Sequence, residues 1–200
     1  MRITFATQLT LVRMVALPFV IIAFIYHETR VVFLLFTLAA LTDFFDGLVA
    51  RRWGQQSALG AALDPIADKL LLNTCYFMMT YGAEYYVVKI PAWLTVLILS
   101  RDFLILIGAL LLTLFSSVRQ FRPTFLGKTA TALQAITIFL ALGYNALEKA
   151  PNWLSLFYMA TFLVTLTAGL QYAWRGFAWL NQAPHPEGSP PSSGGGSSDS

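Results

Sequence analysis

Six stretches of mostly apolar residues divide the chain: Gln8–Tyr26, Arg30–Ala50, Ala58–Tyr81, Pro91–Phe115, Leu126–Leu147 and Trp153–Trp174. Each is near the length, about twenty residues, at which a helix spans the hydrocarbon core of a bilayer. The short polar links between them hold the Gly, Pro and charged residues that end helices. The pattern predicts an all-α fold, a polytopic membrane protein built as a six-transmembrane-helix bundle. The first stretch is too long and continuous for a signal peptide and no small-residue cleavage site follows it, so it is expected to be a true span.

From Asn181 the pattern stops. The run NQAPHPEGSPPSSGGGSSDS has nothing to bury and is expected to be a disordered tail, 181–200, behind a single membrane domain, 1–180.

Composition strengthens this picture. Hydrophobic residues make up 57% of the chain and charged ones 12%, well outside the balance of a soluble domain. The one cysteine, Cys75, lies in an apolar run and can form no intramolecular disulfide. The net charge of +3 is small and its basic residues are dispersed, which argues against a nucleic-acid partner and leaves membrane lipids as the natural surroundings.

Charge also sets the orientation. With an even number of spans both termini share a side, and placing them in the cytoplasm puts Arg2, Arg51, Arg52, Arg119, Arg122, Lys128 and Arg175 there, against Arg30, Lys89 and Lys149 outside. The positive-inside rule favours that topology. The expected setting is a multi-pass protein of a bacterial inner membrane or an organelle membrane. Spans rich in Phe and Leu also permit a homodimer.

Five acidic residues fall inside predicted spans: Asp43, Asp46, Asp64, Asp68 and Asp102. A carboxylate at bilayer depth costs a few kcal/mol or more, so such residues mark function. Four lie in the window DFFDGLVARRWGQQSALGAALDPIADK, residues 43–69. Helical spacing puts Asp43, Asp46, Gly47 and Ala50 on one face, and Gly60, Asp64 and Asp68 on one face of the next helix. The six-residue link 52–57 is short enough to make the two helices antiparallel neighbours whose faces meet near the cytoplasmic end, forming a cytoplasm-facing polar cavity.

Carboxylates so close together stay ionised only if cations hold them. Oxygen ligands without histidine or cysteine select a hard ion, Mg²⁺, Mn²⁺ or Ca²⁺, and four carboxylates suit two ions. Gly47 and Gly60 leave room either for a bulky ligand such as a nucleotide or for close helix packing. Arg51 is placed for a phosphate and is also an ordinary charge at a cytoplasmic helix end. A cation transporter would also carry buried carboxylates, but no paired broken helices support that reading.

The window fits DxxDGxxAR, eight residues, GxxxDxxxD without gap or substitution, and so resembles the CDP-alcohol phosphatidyltransferase family. The resemblance implies transfer of a phosphatidyl group from CDP-diacylglycerol to an alcohol, with release of CMP and two Mg²⁺ or Mn²⁺ ions as cofactor. It assigns Asp43, Asp46 and Asp64 to metal, and Asp68 to the general base with some contact to metal. Gly47, Ala50, Arg51 and Gly60 match the positions that contact the CDP-lipid.

Other segments bear on the acceptor. TQLTLVRMVALP, residues 7–18, resembles the opening of two groups in that family, phosphatidylglycerophosphate synthases and CDP-lipid-dependent cardiolipin synthases, with Thr10 and Arg13 at matching places and Thr7 where those enzymes usually carry asparagine. Pro91-Ala92-Trp93, Arg101-Asp102 and PTFLGKTATALQ, residues 123–134, resemble later segments of the same groups. Arg13, Arg101 and Lys128 are then candidates for an acceptor phosphate, and Lys69 and Asp102 for pairing with each other. Fixed cations suit glycerol 3-phosphate, a small phosphorylated alcohol, and the product would be phosphatidylglycerophosphate. The alternative acceptor is phosphatidylglycerol, giving cardiolipin.

Overall fold

The computed structural model describes the backbone of residues 5–53, 58–115 and 124–180, and side-chain surroundings for 13–42, 67–82, 84–108 and 124–174. Within these it is all-helical: α1 (Phe5–Ile25), α2 (Thr29–Trp53), α3 (Ala58–Tyr81), α4 (Ala92–Phe115), α5 (Phe125–Ala146) and α6 (Leu154–Leu180), with a 3-10 turn at Ala83–Tyr85. Each predicted stretch coincides with one helix to within a few residues. The largest difference is α6, which continues past Trp174 to at least Leu180. Residues 181–200 lie outside the described residues.

Local chemistry explains the helix ends. Thr124 caps α5 by accepting a hydrogen bond from the Gly127 amide at 3.0 Å, using a donor that the first turn leaves unpaired. Two tight turns pass through left-handed residues that are not glycine, His27 at φ 58° and Glu148 at φ 55°. At the second, the amides of Glu148 and Lys149 return to the carbonyls of Asn145 and Tyr144, closing α5 in the manner of a C-terminal capping turn. Pro18 sits inside α1, where it removes one ladder bond, a loss that membrane helices tolerate.

α1 packs against both α2 and α3, α5 against α2, α3 and α6, and α4 against α3 and α6. The shared core contains Val20 and Phe24 of α1, Phe36 of α2, Cys75, Tyr76 and Met79 of α3, Leu94 and Ile98 of α4, and Ile138 and Leu142 of α5. Polar contacts cross it: the Tyr76 hydroxyl donates to the Gln134 carbonyl at 2.9 Å, the Gln134 amide to Thr165 at 3.1 Å, and Thr137 pairs with Thr161 at 2.7 Å. Each satisfies a group that hydrocarbon could not.

The outside of the bundle is apolar. Phe19, Leu34, Phe103 and Leu170 are 58–64% exposed, a surface that water penalises and lipid accepts. Among the described residues, Phe125–Ala146 and Leu154–Trp174 are long and apolar enough to cross a membrane. The described architecture is that of a helical membrane protein.

Candidate functional site

A cavity of about 570 Å³ lies in the part of the bundle where α5 begins, and all six helices line it. They contribute Arg13 from α1, Ala39 and Ala40 from α2, Asp68 and Lys69 from α3, Arg101 from α4, Gly127, Lys128 and Thr131 from α5, and Tyr172 from α6. These positions fall in the first halves of α1 and α5, near the middle of α2, α3 and α4, and in the second half of α6.

Among the described residues α1 lies against both α2 and α3, and α2 and α3 both line the cavity. The faces carrying residues 43–50 and 60–64, expected to meet near the cytoplasmic end, lie outside the described side chains.

Charge is concentrated here. Arg13, Lys69, Arg101 and Lys128 line the cavity with Asp68. Arg13 is buried and forms an ion pair with Asp68, joining α1 to α3 across 55 positions of sequence. The Lys69 ammonium meets Asp102 Oδ1 at 2.6 Å, so the expected pair forms, and the Arg101 guanidinium shares the same oxygen at 2.8 Å. Arg101 also donates to the Gly127 carbonyl at 3.3 Å, and its guanidinium carbon lies 5.8 Å from the centre of the Tyr172 ring, near enough for cation–π attraction.

Gly127 is required by contact. A Cβ there would lie 2.7 Å from the Tyr172 hydroxyl and 3.1 Å from the Thr124 hydroxyl. The same tyrosine hydroxyl accepts from the Thr124 amide at 3.3 Å, so α6 holds the start of α5 in place beside Arg101 and Lys128.

The structure thus brings together Arg13, Asp68, Arg101 and Lys128 of the residues expected from sequence. Asp43, Asp46, Gly47, Ala50 and Arg51 have backbone positions on α2, and Gly60 and Asp64 on α3; their side chains, with those of Thr7 and Thr10 on α1, lie outside the described residues, as do Arg119 and Arg122. Tyr172, Thr131 and Gly127 joined the cavity without having been expected. Only Tyr172 carried a signal, a phenol inside an apolar span that asks for a polar partner.

The donor chemistry at this end fits a hard divalent cation. Asp68 offers carboxylate oxygen, whereas Cys75 is buried in the core and His27 stacks on Tyr85 at 3.8 Å at the other end of the bundle. Among the described residues no three His, Cys, Asp or Glu side chains gather as a metal site. The side chains of Asp43, Asp46 and Asp64 lie outside the described residues.

Six helices around a basic, partly acidic cavity with an apolar exterior define a membrane protein suited to an anionic, phosphate-bearing ligand. A CDP-alcohol phosphatidyltransferase family model matches residues 3–170, and the chain belongs to that family of enzymes. It is 30% identical over 187 residues to human "Cardiolipin synthase (CMP-forming)", covering 84% of this chain and 60% of the relative. It is 34% identical over 155 residues to the rat protein of the same name, covering 68% and 49%. It is 31% identical over 175 residues to "CDP-diacylglycerol--glycerol-3-phosphate 3-phosphatidyltransferase" of Escherichia coli strain K12, covering 86% and 94%. The chain therefore spans about half to three fifths of the two mammalian relatives and nearly all of the bacterial one. The family is in general dependent on divalent metal.

Proposed function

We propose that this chain transfers the phosphatidyl group of CDP-diacylglycerol to glycerol 3-phosphate, releasing CMP and forming phosphatidylglycerophosphate. The observation that carries the reading is the cavity itself, where Arg13, Arg101 and Lys128 line the same space as Asp68. An acceptor that is both a phosphate and an alcohol needs cations and a proton acceptor side by side, and Arg13 touches Asp68 directly. Arg101, with its fixed fork of donors, and Lys128, as a point charge, are suited to the acceptor phosphate.

The reaction follows from these placements. The acceptor hydroxyl oxygen attacks the phosphatidyl phosphorus, its proton passes to the Asp68 carboxylate, and the bond from that phosphorus to the bridging oxygen breaks so that CMP leaves with the electron pair. Asp43 stands three and four residues after Ala40 and Ala39, and Asp64 four before Asp68, so the motif continues both cavity-lining helix faces by one turn. Two Mg²⁺ or Mn²⁺ ions held by Asp43, Asp46, Asp64 and Asp68 would neutralise the pyrophosphate and the departing CMP. Gly47, Ala50, Arg51 and Gly60 lie at the positions assigned to the CDP-lipid by the family motif.

In this reading all six helices cross the bilayer, both termini are cytoplasmic, and the cavity opens toward the cytoplasm, where the nucleotide and the acceptor are soluble. The domain is 1–180 and the tail takes no part. A homodimer is compatible with the apolar exterior.

A second reading is favoured by the mammalian relatives: phosphatidylglycerol as acceptor, with cardiolipin as product. An acceptor panel separates the two. Purified protein with CDP-diacylglycerol and Mg²⁺ or Mn²⁺ is given glycerol 3-phosphate, phosphatidylglycerol, inositol phosphate or serine, and CMP and the lipid product are quantified. Turnover with glycerol 3-phosphate is expected; turnover confined to phosphatidylglycerol replaces the first reading with the second.

A further inference from the structure

We propose that Asp102 is a positioning residue, a carboxylate behind the cavity wall that holds Arg101 and Lys69 in the arrangement that receives the acceptor phosphate. The inference rests on the reading of the cavity as an anionic-acceptor site.

Asp102 is buried, and its Oδ1 takes both cations, Lys69 at 2.6 Å and Arg101 at 2.8 Å, while Oδ2 accepts from the Asn73 amide at 3.5 Å. It does not line the 570 Å³ cavity. It lines a separate groove of about 450 Å³ between α3 and α4, and Lys69 lines both spaces. Asp102 therefore acts on a cavity ligand through the two cations.

The Arg101 contact is selective. Adjacent residues on a helix do not ordinarily face each other, so Arg101 reaches Asp102 only by folding back along its own helix. That fold leaves its second terminal nitrogen on the Gly127 carbonyl and its plane near the Tyr172 ring, so α4, α5 and α6 together fix the guanidinium.

Charge supports a role beyond neutralisation. Two cations and one carboxylate leave the trio with a net charge of 2 − 1 = +1, counting the half-buried Lys69 and the buried Arg101 and Asp102. A buried carboxylate needs one partner; a second cation on the same oxygen leaves positive charge at low dielectric, which an incoming phosphate would balance. Removing the carboxylate frees both cations to move away from the cavity or to repel each other.

The test is steady-state kinetics of Asp102→Asn with both substrates varied. Hydrogen bonds to charged groups are each worth about 1.5–3 kcal/mol, so KM for glycerol 3-phosphate is expected to rise about ten- to a hundredfold. KM for CDP-diacylglycerol should stay at its wild-type value, while the melting temperature falls because the two cations lose their shared partner. Asp102→Glu should restore the acceptor KM, and in an Arg101→Ala background Asp102→Asn should add no further loss. If Asp102→Asn does not fold, Lys69→Met/Asp102→Asn, which removes a cation with the carboxylate, carries the same expectation. Wild-type KM for the acceptor, or an equal loss for both substrates that Asp102→Glu does not rescue, overturns the proposal. A wild-type protein inactive with glycerol 3-phosphate defeats the acceptor reading alone. The Asp102→Asn shift is then read with phosphatidylglycerol, where its presence sustains the positioning role and its absence ends it.

Discussion

The two ends of the bundle use similar residues to opposite effect. At the end holding the α1–α2 and α5–α6 turns, Arg30 and Glu148 approach at 3.4 Å with side chains 77% and 72% exposed. At the cavity end, buried Arg13 meets the partly exposed Asp68, and buried Asp102 holds buried Arg101 and the partly exposed Lys69. An exposed pair contributes little because water and salt screen it, whereas a buried one costs several kcal/mol of desolvation per ion and is weak evidence for stability. Charges kept where they are expensive point to ligand chemistry; charges kept where they are cheap point to surface.

The far end is instead held by neutral groups. Asn145 accepts from the Val88 amide at 2.9 Å and donates to the Val88 carbonyl at 3.0 Å, fixing the extended link before α4 as a neighbouring strand would. Tyr86 packs edge-on to Phe24, and burial pushes its phenol up from the usual value, so it stays neutral. One end is thus a fastening built from amides and rings, the other a charged receptacle.

Substitutions should separate the two. Asp68→Asn is expected to lower kcat by roughly 10²- to 10⁴-fold, the usual contribution of a general base, with a fall in melting temperature in detergent because the buried Arg13 loses its charged partner. Gly127→Ala should act on both properties, since its Cβ would meet the Tyr172 hydroxyl at 2.7 Å. Overpacking of this kind costs about 1–3 kcal/mol, and displacement of Tyr172 should also weaken acceptor binding, read as a lower melting temperature and a higher KM.

Asn145→Ala should cost about 1–3 kcal/mol, because it strands the buried Val88 amide and carbonyl, and should leave kcat per folded molecule as in wild type. Arg30→Gln should change stability by less than about 1 kcal/mol and activity not at all. A large loss of activity from Asn145→Ala at full stability would erase the distinction between the ends.

Much of the fold could be read from the chain because lipid imposes a simple rule: each long apolar run must satisfy its backbone internally and so becomes a helix. The helix end at Tyr81 and the helix start at Ala92 fall within one residue of the sequence reading for that reason. The 3-10 turn at Ala83–Tyr85 and the Asn145 clasp could not be foreseen, since both depend on residues far apart in sequence meeting at one end. Of the site, Asp68 and Arg101 stood out because charge in an apolar run is conspicuous, whereas Arg13 and Lys128 were legible through the family resemblance of their segments. Tyr172 and Gly127 did not, because a phenol and a glycine are ordinary in a membrane helix until their neighbours are known. The spacing of Asp43, Asp46, Asp64 and Asp68 suggested faces that meet; of these four side chains only that of Asp68 is among the described residues, and it lines the cavity.

The most direct measurement is stoichiometry. Purified protein is given CDP-diacylglycerol, labelled glycerol 3-phosphate and Mg²⁺ or Mn²⁺, and both released CMP and label in chloroform-extractable lipid are counted. The expected result is equal amounts of the two, both abolished by chelation or by Asp68→Asn. Release of CMP without incorporation of label, or incorporation that persists in Asp68→Asn, would contradict the assignment of the cavity as the site of phosphatidyl transfer to glycerol 3-phosphate.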